Sequence, residues 1–289
     1  MIHGKWVAGE EGDVRPAWGG PFLPLEKEVK HSFLSRKRRR EIREGEILFR
    51  AGDVADKIYL ITEGELAISI RTELTGPMLI NLAYRGDLVG ESALQADSMR
   101  TADVFANKDS ILLEFSMRQL KDAFTLHPGL RDMLEEEASL RRKIALLTRC
   151  QPFSLLNLSE RIIVAEQSLE KHVPAGTIIK HEKSELPFAA LVVSGEIESY
   201  FTIYQEQQYA GSLYNNSLFG LSMLYLNKVS PYKLIAKNNV SLLTIPHIVL
   251  EDASQTYSNF DSSVCDIAKT SFSQTMETIR ILSSNIPTT

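Results

Sequence analysis

The sequence predicts a mainly β chain with flanking helices, folded as two tandem β-roll or jelly-roll domains. Three observations predict it. From Glu41 to Phe115, short β-rich runs alternate with Gly and Asp turn signals, the pattern of a sandwich or barrel. From Ser116 to Thr148 the hydrophobic period changes to that of helices. From Gln151 the same succession starts again in altered form. At 289 residues the chain is long enough for two ordinary domains.

Residues 1–30, with G-E-E-G-D and R-P-A-W-G-G-P, read as an irregular N-terminal arm. It either packs Trp18, Phe22 and Leu25 on the first domain or trails as a loosely ordered tail. The first domain spans residues 31–148. It opens on the basic run S-R-K-R-R-R at Ser35–Arg40. Such a run can serve as a nuclear or anionic-surface signal, or as a decoy for a basic-directed protein kinase. Arg39-Arg40 are followed by Glu41 and Ile42 rather than by a small residue, so it reads as a solvated approach to the first strand.

Turns at Gly45 and Gly52-Asp53 flank a short apolar strand. K-I-Y-L-I-T-E-G-E-L-A-I-S-I reads as two strands joined by a hairpin at Glu63-Gly64-Glu65. M-L-I-N-L-A-Y ends at the turn Gly86-Asp87, and Glu91–Leu94 allows a single helical turn. The stretch from Thr101 to Phe115 reads as two more strands around Asn107–Ser110. Ser116 then caps a helix, H-P-G-L-R-D breaks it, and a longer helix runs from Leu130 to Leu147. That helix has acids early and bases late, and Leu130, Leu134, Leu140, Ile144 and Leu147 form one stripe.

The second domain, residues 149–289, is found by subtraction. A-G-T-I-I at Ala175 matches E-G-E-I-L at Glu44, and S-G-E-I at Ser194 matches E-G-E-L at Glu63, both at an offset of 131. L-F-G-L-S-M-L at Leu218 matches L-V-G-E-S-A-L at Leu88, and Leu242-Leu243 matches Leu112-Leu113, both at 130. Four anchors at a nearly constant offset mean a tandem duplication. A helical lead-in with Ser159 as its cap precedes this copy, and a Ser/Thr-rich helical tail runs from Ile248 to Leu282.

Composition narrows the function. A chain with 44% hydrophobic residues, 24% charged residues and a net charge of −5 is globular and not generally basic, which disfavours nucleic acid as a partner. Cys150 and Cys265 show no ligand spacing, so no metal is expected and a reducing, cytoplasmic location is. The acidic start does not resemble a signal peptide. No run approaches the ~20 apolar residues that cross a bilayer, so no membrane partner is expected. The six histidines are scattered, and no P-loop, dinucleotide fingerprint or catalytic cluster is present, so no enzyme activity is expected.

Chemistry concentrates between Gly86 and Ala106, in G-D-L-V-G-E-S-A-L-Q-A-D-S-M-R-T-A. Arg100 offers a planar fork of donors to a phosphate. Gly90 lets the backbone come close, and the Ser92 and Ala93 amides open a helical turn. Glu91 can accept a ribose hydroxyl, while Val89 and Leu82 can wall a flat base. A cyclic phosphate with a ribose and a base asks for these groups together.

With E-G-E-I-L-F-R-A-G-D, I-Y-L-I-T-E-G-E-L and the cassette G-D-L-V-G-E-S-A-L-x5-R-T-A, the first domain resembles the cyclic-nucleotide-binding domains. These occur in kinase regulatory subunits, catabolite-activator-type regulators and cyclic-nucleotide-gated channels. The resemblance is strong from Arg40 to Leu147 and weaker beyond. It implies that Glu91 binds the 2′-hydroxyl, that Arg100 binds the phosphate, and that the Leu130–Leu147 helix acts as a lid over the base. Thr101 stands where some cGMP-selective members bond guanine, and a Thr there also suits cAMP binders. The ligand is therefore cAMP or cGMP.

In the second domain Glu91 maps to Leu221, Arg100 to Ser230 and Thr101 to Pro231. An unpaired buried charge costs about 3–5 kcal/mol, so this copy is expected not to bind a cyclic nucleotide in the family's manner. Lys228 or Lys233 could offer a substitute charge, though nothing in the spacing requires it, and the aromatic supply from Tyr200 to Tyr232 serves a core or an interface. The expected output is a protein partner or a homodimer, although Glu137 interrupts a heptad seam on the lid helix. Two alternatives remain. One is a catabolite-activator-type DNA-binding regulator, against which the tail offers only Lys269 and Arg280 as cations. The other is an interaction protein with a vestigial site.

Overall fold

The computed structural model describes residues 6–8, 14–16, 38–72, 76–94, 99–126, 128–203, 205–226, 228 and 231–284. The chain divides into two compact units, Met1–Ala145 and Leu146–Thr289.

In the first unit, β1 (Trp6–Ala8) and β2 (Val14–Pro16) form an antiparallel pair. The arm therefore holds a hairpin where the sequence suggested none, because three-residue strands are too short to show alternation. Trp18, Phe22 and Leu25 lie outside the described residues. The barrel comprises β3 (Arg38–Ile42), β4 (Ile47–Phe49), β5 (Lys57–Thr72), β6 (Gly76–Tyr84), β7 (Leu88–Val89) and β8 (Asp103–Ser116). All pairings are antiparallel, in the order β3-β8-β5-β6, with β4 on β8 and β7 on β5. The basic residues Arg38–Arg40 lie within β3 itself, largely exposed. Its core packs Ile58, Leu88, Ala93, Phe115 and Leu120.

Two expectations about this sheet are corrected. No hairpin forms at Gly64: β5 runs through it for 16 residues. Nor is there a break at Asn107–Ser110, since β8 is continuous over 14 residues. Gly64 has φ +88° and a Cβ there would strike the Ser110 side chain and the Asp109 carbonyl. The pairing register of β5 with β8 shifts between Ile61 and Leu66. A positive-φ glycine serves a turn or a bulge equally well, and here it serves a bulge that bends two long strands together. Ser110 fastens the bulge, its hydroxyl accepting from Glu65 N at 3.0 Å and donating to Lys108 O at 2.7 Å.

Helix α1 (Met117–Leu126) follows. Its cap is reciprocal: Gln119 N donates to Ser116 Oγ, and Ser116 N donates to Gln119 Oε1. Helix α2 (Pro128–Arg149) begins on a proline, which loses nothing at a position whose N–H has no intrahelical acceptor. Along its described face Ala138, Arg141 and Ile144 recur every three residues, and all are buried. The side chains of Leu130 and Leu134 lie outside the described residues.

The second unit opens with α3 (Leu158–Gln167). Its cap is Asn157 rather than Ser159. Asn157 Oδ1 accepts from Glu160 N and Glu160 Oε2 accepts from Asn157 N, a closed pair that places Ser159 inside the helix. Eight strands follow: β9 (Leu169–Val173), β10 (Ile178–Lys180), β11 (Phe188–Ser194), β12 (Ile197–Ile203), β13 (Glu206–Leu213), β14 (Leu218–Phe219), β15 (Lys233–Ala236) and β16 (Val240–Pro246). They form two four-stranded sheets, β10-β15-β12-β13 and β14-β11-β16-β9. What are single bent strands in the first unit are here separated at Gly195 and at Lys237–Asn239, and the chain crosses from one sheet to the other. Helices α4 (Leu221–Leu226), α5 (His247–Thr256) and α6 (Ser258–Ser284) complete the unit.

Candidate functional site

The first unit gathers its predicted residues around one corner. The turn Gly52-Asp53 fixes the Arg100 backbone, which donates to Asp53 O and accepts from Gly52 N, both at 2.8 Å. The guanidinium is thereby aimed inward and is only 4% exposed. Its Nη1 donates to Gly90 O at 2.9 Å and its Nη2 to Lys57 O at 2.7 Å. Its carbon lies 4.2 Å from the centre of the Phe49 ring. Nε is buried and has no partner among the described residues. Burial pushes the pKa of Arg100 down, while Tyr59, Asp56, Glu91 and Asp53 pull it upward.

Gly90 makes this arrangement possible. Its φ is +97°, and a Cβ there would lie 2.6 Å from Arg100 Nη1 and 3.0 Å from Lys57 O. Glu91, Ser92, Ala93 and Leu94 form a single 3-10 turn. Within it the Ala93 amide donates to Gly90 O at 3.1 Å. Ser92 is half-buried and has polar contacts of its own. Val89 is buried on β7 opposite Tyr59, and Leu82 is half-buried on β6 opposite Ala67. Thr101 is exposed, ahead of the start of β8.

Glu91 is engaged from a direction the sequence did not suggest. Arg141 of α2, itself 7% exposed, donates from Nη1 to Glu91 Oε2 at 2.9 Å and to Leu88 O at 2.6 Å. Glu91 and α2 of the first unit are thus joined by one guanidinium. Its signal was present: Arg141 shares the three-residue spacing of Ala138 and Ile144, which puts it on the buried face. The cluster Arg141-Arg142-Lys143 reads instead as a helix-end charge.

The second unit keeps the corner and changes its chemistry. Gly220 has φ +93°, and a Cβ there would lie 2.5 Å from Phe188 O. Phe188 is the counterpart of Lys57 at the offset of 131. Leu221, in place of Glu91, is 4% exposed. Ser230, in place of Arg100, lies outside the described residues, and Pro231 is half-buried. The Gly220 carbonyl is met by His247, whose Nε2 lies 3.2 Å away. So the glycine carbonyl that Arg100 meets in the first unit is met by His247 in the second.

A buried cation also enters from another strand. Lys180 stands in β10 where Phe49 stands in β4; it is 6% exposed and donates to His181 O at 2.9 Å and Tyr232 O at 3.1 Å. Lys228 and Lys233 are placed otherwise. Lys228 sits over the Phe272 ring at 5.1 Å, and Lys233 is half-buried on β15. Among the described residues no group of three or more His, Cys, Asp or Glu could hold a metal, and no helix is long and apolar enough to cross a membrane.

The sequence profile of the cyclic nucleotide-binding domain matches residues 39–127 and 170–257, together more than half of the chain. An uncharacterized ABC transporter ATP-binding protein of Mycobacterium tuberculosis is 31% identical over 94 residues, 32% of this chain and 28% of that protein. The lysophospholipase nte1 of Aspergillus fumigatus is 27% identical over 90 residues, 31% of this chain and 6% of its own length. The chain thus spans less than a third of either relative. Among solved structures, the regulatory domain of Toxoplasma gondii PKA with cAMP aligns over 86% of this chain and 92% of that one, at 18% identity and a TM-score of 0.42. Thermus thermophilus catabolite activator protein aligns over 43% and 59%, at 27% identity and a TM-score of 0.39. The two profile matches fall one in each structural unit, and the chain belongs to the cyclic nucleotide-binding domain family.

Proposed function

We propose that the first unit is a non-catalytic receptor for cAMP or cGMP, with Arg100 as the phosphate partner and Glu91 as the ribose partner. One observation carries this reading: a buried guanidinium, aimed by its backbone and by two carbonyls, beside a glycine that leaves no room for a side chain. Such a cation favours a monoanion whose charge cannot be neutralised near neutral pH. Leu82 supplies apolar surface, Val89 is buried behind the site, and Thr101 leaves the choice of base open.

The contact between Glu91 and Arg141 supports a route for the signal. A hydroxyl that bonds Glu91 competes with Arg141 for the same carboxylate and shifts the balance that holds α2 against the barrel. The output then passes to a protein partner or to a second copy of this chain, in the cytoplasm. The second unit takes no cyclic nucleotide in the family's manner, since Leu221 replaces the carboxylate and Ser230 the arginine.

Titration calorimetry with cAMP and with cGMP tests this directly. One site per chain, lost in Arg100→Ala, is the expected result. A vestigial site is the competing reading, favoured by the engagement of both Arg100 amino groups with carbonyls. The absence of heat and of thermal stabilisation with either nucleotide would establish it instead.

A further inference from the structure

Two hydrogen bonds pin the Arg100 guanidinium, Nη1 to Gly90 O at 2.9 Å and Nη2 to Lys57 O at 2.7 Å. They fix the line through the two amino nitrogens and leave the tilt of the plane about that line to contacts on its faces. A guanidinium carries more donors than these two bonds use, and their direction follows that tilt. The Arg100 carbon lies 4.2 Å from the centre of the Phe49 ring. At that distance the ring stands against the planar cation and limits its tilt. Phe49 in turn stacks on Tyr59, with ring centroids 6.2 Å apart and 29° between the planes.

The strand itself does not ask for this ring. Leu48 beside it is 7% exposed and supplies the buried contact of β4, whereas Phe49 is only half-buried, opposite Val104 of β8. An aromatic side chain in that place is explained by the cation it faces. The second unit supports this, because three groups change there together. At the offset of 131 Phe49 becomes Lys180 and Tyr59 becomes Ala190, and at 130 Arg100 becomes Ser230. Their aliphatic neighbours keep their character: Leu48 becomes Ile179 and Leu60 becomes Leu191. A barrel of this kind therefore forms without either ring. An ammonium in the place of Phe49 would also repel a guanidinium at this spacing.

We propose that Phe49, backed by Tyr59, is a positioning residue for Arg100: its ring face sets the tilt of the guanidinium and so the direction in which the remaining donors meet a phosphate. This rests on the reading of Arg100 as the phosphate partner. Phe49 itself need touch no ligand. A ring face attracts the cation through its quadrupole, and an aliphatic side chain of similar bulk does not.

The test uses the full chain. The NMR signal of the Arg100 Nε–H group is assigned by its loss in Arg100→Ala, and it should lie upfield, because the ring current shields a proton held over the Phe49 face. Phe49→Leu should move that signal downfield and weaken cAMP or cGMP by about tenfold in calorimetry, as the loss of a desolvated cation–π contact requires. Phe49→Tyr should restore both. Replacing the Phe49 ring by its pentafluoro form keeps the shape and reverses the charge of the face, and it should weaken binding as leucine does. A role in packing alone would not feel that change. Phe49→Met serves if the leucine variant does not fold. The proposal is overturned if the signal stays in place in Phe49→Leu, if tyrosine does not restore affinity, or if the pentafluoro chain binds like the parent. Should the parent bind neither nucleotide, the receptor reading falls, and the shift of the Nε–H signal alone decides whether Phe49 holds the guanidinium.

Discussion

Gly90 and Gly220 occupy the same corner in two copies of one barrel and share their backbone down to a few degrees of φ. In each, the carbonyl at the glycine needs a hydrogen-bond partner. The first unit meets it with Arg100, the second with His247 from the start of α5. The difference separates two roles that a single arginine combines. The barrel needs a donor at the corner, and any ring or fork of suitable reach will do. A bound anion would also need a permanent charge there, which Arg100 carries in the first unit.

That separation is broken first at Arg100. Arg100→Ala should lower cyclic nucleotide affinity by about two to four decades, the cost of about 3–5 kcal/mol for a buried phosphate left without its partner. The domain should remain folded, because the second unit keeps the same corner without that arginine. Calorimetry together with a melting curve reads both halves. Unchanged affinity would remove Arg100 from the site.

The glycines come next. At Gly220 an added Cβ meets fixed backbone, Phe188 O and Ala189 Cα, whereas at Gly90 its nearest neighbour is the end of the Arg100 side chain. Gly220→Ala should therefore destabilise by about 2–4 kcal/mol, combining left-handed strain with overpacking. Gly90→Ala should cost about 1–2 kcal/mol from backbone strain, and should weaken nucleotide binding by displacing the guanidinium. Denaturant titration of the two variants side by side checks the order; equal losses would mean that Arg100 is as immovable as backbone. Glu91→Gln follows, with an expected loss of about 1.5–3 kcal/mol in nucleotide affinity for a hydrogen bond to a charged group. It should also raise amide exchange in α2 near Arg141, since the ion pair goes with the carboxylate. Exchange identical to the parent would detach that helix from the site.

Much of this was legible in the sequence because it is local. The cassette from Gly86 to Thr101, the reciprocal Ser116–Gln119 cap and the 130–131 offset are all patterns of neighbouring residues. What escaped is long-range. Gly64 has the same signature in a hairpin and in a bulge, and only Ser110, far along the chain, decides between them. Arg141 reaches Glu91 across 50 residues, and Lys180 reaches Tyr232 across 52. His247 lies 27 residues from the carbonyl it meets, at the counterpart of Met117, where the first unit has no ring at all. A substitution that keeps a hydrogen bond while changing the donor leaves no trace in an offset comparison.

The smallest effect tests His247 itself. Burial, the leading cause, pushes its pKa below the usual histidine value, with Gly220 and Phe188 backbone contacts acting the other way. In the folded unit the ring is therefore neutral where the unfolded chain, near pH 6.5, begins to take up a proton. Below that pH the unfolded state binds more protons than the folded one, so stability falls as pH drops, until the folded ring titrates as well. Above it the contribution is constant. His247→Gln keeps an N–H donor and cannot titrate, so its stability should be flatter than the parent's on the acid side of pH 6.5. The same scan on Arg100→Gln should leave the slope of the first unit unchanged across that interval, because the arginine carries its charge throughout. Parallel curves for His247→Gln and parent would show that the ring does not sense the corner's burial, and the equivalence drawn between His247 and Arg100 would fail with it.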